Sequence, residues 1–269
     1  MKKAKGQSFD DLDKEMRVFE TNTDHCVLPG INLVVRLDGK GFTKLTRDPE
    51  NNFEAPFDIR FNNLMGKTVQ HLMEDTGFRF IYGYTQSDEI SLLLSLEDNT
   101  FNRKTRKLNS VLASHAGAFF TLNFGKLAVF DSRVIELPTI DLVGRYFNWR
   151  QLDATRNALN AWCYWTLRKE GLSARKATSQ LEHASVPDKN EMLFQRGINF
   201  NDLPAWQKRG IGFYWETYEK MGYNPMSGQK EIAIRNRLNM KQDLMYGDEY
   251  MYMIKGIAEY GGNYLKKTS

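Results

Sequence analysis

Only two cysteines, Cys26 and Cys163, occur among the 269 residues. They cannot build a disulfide framework, and a reducing compartment is the simplest fit, so a cytoplasmic protein is expected. The four histidines supply no zinc-ligand spacing: His25 adjoins Cys26, while His71, His115 and His183 stand alone. No uncharged apolar run approaches the ~20 residues of a membrane span. The basic start MKKAK leads into no apolar segment of the signal-peptide kind. The signatures GxxxxGK[ST], GxGxxG and GxSxG are all missing, which excludes a Walker loop, a dinucleotide fingerprint and a nucleophile elbow. No internal repeat, low-complexity linker or Pro-rich boundary divides the chain.

What is present is ordinary in bulk. Hydrophobic residues make up 41% and charged residues 26%, as in soluble globular proteins, and the length allows one large domain or two small ones. Lys plus Arg exceed Asp plus Glu by 37 − 33 = 4, a balance that permits an anionic partner such as a nucleic acid without demanding one.

The pattern along the chain is more specific. Ser8 to Glu20 reads as a helix capped by Ser8, with acidic residues in its first turn. INLVVRL (31–37) is a strand that stops at the turn Asp38-Gly39. PFDIRFNNLMGKTVQHLMEDTG (56–77) carries apolar residues at helical spacing, with Pro56 placed at its first turn. FRFIYGYTQSDEISLLLSL (78–96) is a hairpin with Asp88 and Glu89 at or beside its turn. A second helix spans roughly 108–124, and KLAVFDSRVIELP ends in a strand at Pro138. The order β-α-β-β-α-β predicts an α+β fold, a ferredoxin-like, four-stranded antiparallel sheet with two helices on one face. Residues 1–140 form this palm-like region. Residues 141–269 are read as mainly helical, over 141–170, 173–183, 188–196 and 202–221, and as packing on the sheet within one continuous domain.

Such a sheet puts its first strand beside the central hairpin. Asp38 then meets Asp88 and Glu89 on one edge, although about 50 positions separate them. Clustered carboxylates of this kind suit Mg2+, and two such ions can serve an in-line phosphoryl displacement. The adjoining turn Asp38-Gly39-Lys40-Gly41-Phe42-Thr43 could cradle a triphosphate through its backbone amides, with Lys40 or Lys44 adding charge. Each piece alone has a plainer explanation: RLDGKGF as a turn after a strand, SDE as a solvated hairpin tip, NRKTRK as a solvated face, WRQLDATRN as an amphipathic helix. Their joint placement on one sheet edge favours a site.

Together VVRLDGKGF, YGYTQSDEISLLL, FDSRV, WRQLDATRN and DKNEMLF…GIN resemble the tRNA-histidine guanylyltransferase-like family, the 3′–5′ polymerases, in order from about Ile31 to Gly210. The resemblance implies a nucleotidyltransferase that extends the 5′ end of tRNA. A 5′-monophosphate is activated with ATP, and the 3′-hydroxyl of GTP or another nucleoside triphosphate attacks the activated end. It further implies metal ligation by Asp38, the Gly39 carbonyl and Asp88, with Glu89 as an acidic neighbour. Triphosphate binding falls to Asp38, Gly39, Lys40, Gly41, Phe42, Thr43, Ser87 and Asp88. Arg36, Arg103, Lys107 and Lys189 match positions that face nucleotide or tRNA phosphates. A homotetramer is expected on the same ground.

Where eukaryotic members carry His-Ile-Asn-Asn after WRQxDC, this chain has Thr155, Arg156, Asn157 and Ala158. Only the asparagine at 157 is kept. That pattern is similar to the Thg1-like branch, and the resulting expectation is template-dependent repair of 5′-truncated tRNA; the alternative is dedicated addition of the extra guanosine to tRNA(His). Thr43 and Ala55 also replace residues frequent in the family. A tRNA-binding protein without catalysis and a nucleotide cyclase on the same sheet are the readings from other classes.

Overall fold

A computed structural model describes residues 8–223, 226 and 228–261. Helix α1 (Phe9–Thr21) starts where SFDD predicts, with the Ser8 side chain accepting from the Asp11 amide. Strand β1 (Asn32–Gly39) leads into the short helix α2 (Phe42–Arg47). The next helix, α3 (Ile59–Glu74), begins three residues after Pro56. Its start is set by Asp58, whose carboxylate accepts from the Arg60 amide, so the cap rather than the proline fixes the boundary. Strands β2 (Phe80–Gln86) and β3 (Glu89–Leu94) form the hairpin. Helix α4 (Thr105–Phe124) and strand β4 (Phe130–Leu137) complete the β-α-β-β-α-β order.

The second half contributes α5 (Ile140–Lys169), α6 (Ala174–Glu182), α7 (Val186–Phe194), α8 (Ala205–Arg209), β5 (Ile211–Tyr223), β6 (Lys230–Lys241) and α9 (Asp248–Tyr260). The helical expectation for 202–221 is corrected here. Helix α8 stops at Gly210, which adopts φ 73°, and β5 then pairs antiparallel with β2, Tyr82 opposite Tyr214. Within IGFYW, Ile211 and Phe213 enter one core and Tyr214 the other, the two-residue alternation of a strand. The sheet therefore has six strands among the described residues, in the order β4-β1-β3-β2-β5-β6, rather than four. Beyond Tyr214 the β5–β6 pair continues without β2, as a two-stranded ribbon reaching Tyr223 and Lys230.

Both faces of the central strands are covered. Leu33, Val35 and Leu37 pack toward α3 and α4 with Val69, Leu72, Leu112 and Phe120. Val34, Tyr82 and Leu93 face Phe147 of α5 and Tyr250 and Ile254 of α9. Double burial explains why β1 and β3 read as unbroken apolar runs instead of alternating. No helix among the described residues is long and apolar enough to cross a membrane.

Candidate active site

The two ends of the predicted site meet through backbone pairing. In the β1–β3 ladder Asp38 stands directly opposite Glu89. Ser87 and Asp88 form the two-residue turn before β3, with Ser87 at φ 55°, and the Gly39 amide donates to the Asp88 carbonyl at 3.0 Å. Three carboxylates thus converge on one sheet edge, as the sequence predicts.

Their surroundings differ. Glu89 is enclosed by guanidinium groups: Arg36 Nη2 donates to Oε1, and Arg150 Nη2, from α5, donates to Oε2 at 2.6 Å. Arg36 also reaches Asp38 Oδ2 at 3.4 Å, which offsets the repulsion of like charges set opposite each other across strands. Two protein cations therefore balance the Glu89 charge. Asp88 has no Lys or Arg partner among the described residues; the Ser87 hydroxyl donates to its Oδ1 at 3.2 Å, and its own backbone amide also favours the charged form. Burial pushes its carboxyl above the usual range, and the nearby Asp38 and Glu89 charges add to the effect.

A half-buried carboxylate with no Lys or Arg partner among the described residues, beside a second one, fits a divalent ion. No group of three or more His, Cys, Asp or Glu side chains stands ready to hold a metal among the described residues. A pair of carboxylates with a backbone carbonyl is the donor set magnesium accepts when phosphate completes its shell. Asp38, Asp88 and Gly39 fit that set.

The Asp38–Thr43 turn depends on two glycines. A Cβ on Gly39 would come 2.5 Å from Phe42 Cγ, and Gly41 has φ 78°. Phe42 itself is buried against Phe61, Phe120 and Phe130, so its side chain anchors the turn; Lys40 and Thr43 are exposed. Two hollows meet at Gln86, Ser87 and Asp88. The first is walled by Thr43, Arg47, Phe57, Asp58, Trp165 and Trp206. The second is walled by Tyr84, Glu89, Arg150, Asp153 and Asn157.

The other predicted phosphate contacts lie elsewhere. Arg103 is buried and donates to the Ile31 and Leu96 carbonyls, a clamp between loops rather than a phosphate contact. Lys107 lies over the Phe101 ring, 5.6 Å from its centroid. Lys189 is on α7, where its carbonyl accepts from the Cys163 thiol. Neither lysine lines a hollow. Conversely, Arg47, Arg150, Asp153, Trp165 and Trp206 were not among the predicted site residues. Arg150 and Asp153 lie within WRQLDATRN, and their spacing of three places both on one helix face. No local signal marks Arg47 or the two tryptophans.

A six-stranded antiparallel sheet of palm topology, with paired aspartates where its first strand meets the central hairpin, defines a nucleotidyltransferase of the polymerase-palm class. Comparison with known proteins gives the family. Residues 13–138 match the model for tRNAHis guanylyltransferase and residues 141–249 that for the Thg1 C-terminal domain. The tRNA(His) guanylyltransferase of Debaryomyces hansenii is 35% identical over 200 residues, 70% of this chain and 74% of the relative. A bacterial Thg1-like protein solved with GTP superimposes with a TM-score of 0.68 at 27% identity, covering 93% of this chain and 99% of that one. The same kind of protein solved with ATP gives 0.67 at 28%, covering 94% and 98%. The chain belongs to the tRNA(His) guanylyltransferase family.

Proposed function

We propose that this protein adds guanosine to the 5′ end of tRNA(His), with Asp38 and Asp88 at the reacting centre and magnesium as the cofactor. The observation that carries the reading is the position of Asp88. It is half-buried, has no Lys or Arg partner among the described residues, is tied to β1 by the Gly39 amide and lies where two hollows meet. The first hollow suits an incoming GTP: Thr43 and Ser87 line it beside Asp88, and Phe57, Trp165 and Trp206 offer apolar walls for the base. The second, beside Asp88 and Asn157, is the space open to the activated RNA end; its guanidinium, Arg150, is already paired with Glu89 and Asp153.

In the reaction so framed, the 3′-hydroxyl of GTP forms a bond to the 5′ phosphorus of the activated tRNA. The bond to the leaving AMP breaks, or the bond to pyrophosphate where the end is already triphosphorylated. Asp38, Asp88 and the Gly39 carbonyl would hold magnesium, which when bound would supply acidification of the attacking hydroxyl and charge for the leaving phosphate. Asp38 and Asp88 would supply the negative charge for that ion, and the Gly39–Asp88 backbone bond ties the two segments that carry them. Arg36 and Arg150 hold Glu89 in place beside them.

Template-dependent repair of 5′-truncated tRNA is the second reading, favoured by Thr155 and Ala158. Thr155 turns its hydroxyl to the Gln151 and Lys208 carbonyls, and Ala158 is fully buried, so neither side chain is presented to an RNA in the way His and Asn could be. A homotetramer is also proposed; the exposed Phe9 and Phe19 on α1, a helix with no buried residue, support it. The enzyme is to be given ATP, GTP, magnesium and two RNAs, 5′-monophosphorylated tRNA(His) and a tRNA lacking its first nucleotide. Guanosine on tRNA(His) whatever nucleotide lies opposite supports the first reading. Restoration of only the complementary nucleotide on the shortened tRNA overturns it for the second.

A further inference from the structure

Glu89 is the third carboxylate beside the two aspartates. It follows Asp88 directly and is the cross-strand partner of Asp38, an arrangement that points both side chains from the same face with Cβ atoms ~4.5–5.5 Å apart. The three carboxylates nonetheless form no ready metal group among the described residues. The restraint comes from side chains, one guanidinium on each carboxylate oxygen. Arg36 holds Oε1 from β1, the strand that carries Asp38.

Arg150 holds Oε2 from α5, in the other half of the sequence, and is itself fixed from three sides. Its side chain is 6% exposed, and the nitrogen that binds Glu89 also donates to Asp153 Oδ2 at 2.9 Å. Its guanidinium lies 4.6 Å from the Trp149 ring centroid. A guanidinium bond and a metal bond compete for the same carboxylate lone pairs.

We propose that Arg150 is a positioning residue that keeps Glu89 out of the coordination shell of the cation held by Asp38 and Asp88. The proposal rests on the reading of those aspartates as a metal site. Magnesium takes a near-octahedral shell and, in phosphoryl-transfer sites, leaves most of it to water and phosphate. A third carboxylate would take a position that phosphate needs and reduce the positive charge available to the leaving group. Arg150 thus lowers affinity for the bare ion and keeps positions open for the nucleotide.

The experiment is a Mn2+ titration read by electron paramagnetic resonance, without nucleotide. The full-length wild type is compared with Asp88→Asn, Arg150→Met, Arg150→Lys and the double variant Arg150→Met/Glu89→Gln, each checked for folding by circular dichroism. Arg150→Met is expected to bind Mn2+ more tightly than wild type by roughly tenfold, a difference well resolved in a binding constant, while its KM for GTP rises. Arg150→Lys, which keeps a cation, lies between the two and stands in if the methionine variant does not fold. The double variant returns to wild-type affinity. Wild-type binding that Asp88→Asn leaves intact overturns the metal-site reading itself. Asp88-dependent binding that is unchanged or weakened when Arg150 is replaced overturns the role of Arg150 alone. Tightening that persists in the double variant does so too, because Glu89 would not be its source.

Discussion

Asp58 is buried and Asp88 half-buried, and their surroundings push the two carboxyls in opposite directions. Burial also acts against ionised Asp58, but the Arg60 guanidinium and the amides of Glu54 and Arg60 outweigh it and hold the carboxyl at about 2. Its stabilising contribution is therefore complete above the ordinary carboxylate range near 4 and is lost as pH falls through about 2. Asp58 also caps α3, so Asp58→Ala should cost on the order of 2 kcal/mol in urea unfolding at neutral pH, combining a lost cap with lost charged hydrogen bonds. Much of that difference should vanish near pH 2. For Asp88 the sign is reversed. Its raised pKa means that its contribution to stability is fullest below the ordinary carboxylate range and is lost as pH rises through the folded value. Asp88→Asn is expected to raise the metal-free Tm at pH 8, and added Mg2+ to raise the Tm of the wild type but not of the variant. A lower Tm for Asp88→Asn would contradict this account of the site's electrostatics.

At the scale of single elements, the β1–α2 turn and the Arg103 clamp make separate demands. Gly39→Ala must displace the Phe42 ring, which is wedged among Phe61, Phe120 and Phe130. Overpacking of this kind costs about 1–3 kcal/mol, and the shifted turn should reduce nucleotide transfer by more than the stability loss alone explains. Chemical denaturation and initial rates on one preparation separate the two effects. Arg103→Gln should lower Tm by several degrees, since two loop carbonyls lose a buried donor at about 1–3 kcal/mol. The salt dependence of tRNA binding should stay unchanged, whereas a true phosphate contact would reduce that slope by nearly one. Legibility in the sequence divides along similar lines. Strands β1 to β4 and helices α3 to α5 declare themselves by apolar period and turn residues. β5 does not, because IGFYWETYEK has aromatic residues at spacings compatible with either a helix or a strand, and its partners β2 and β6 decide. The basic run NRKTRK conveys charge but not direction, so burial of Arg103 is invisible until the fold is known.

Across the whole molecule, the sheet joins halves that family models describe separately: β5 and β6 extend the palm, and α5 closes its second face while delivering Arg150 to Glu89. The carboxylate edge was legible because its residues are close to strand ends with strong sequence signals. The α5 side of the site was not, since only the tertiary fold brings residue 150 to residue 89. The central claim is that Asp38 and Asp88 transfer a nucleotide to an RNA 5′ end. It is tested most directly by incubating tRNA(His) with ATP, magnesium and GTP labelled at its α-phosphate, using the wild type, Asp38→Asn and Asp88→Asn. The account predicts incorporation by the wild type, with the label removed by phosphatase because the added residue's own phosphate lies at the new terminus. Each variant should fall by at least about 100-fold, the scale on which electrostatic groups at a reacting centre act. Label resistant to phosphatase after a single addition, or equal incorporation by the Asp88→Asn variant, would contradict it.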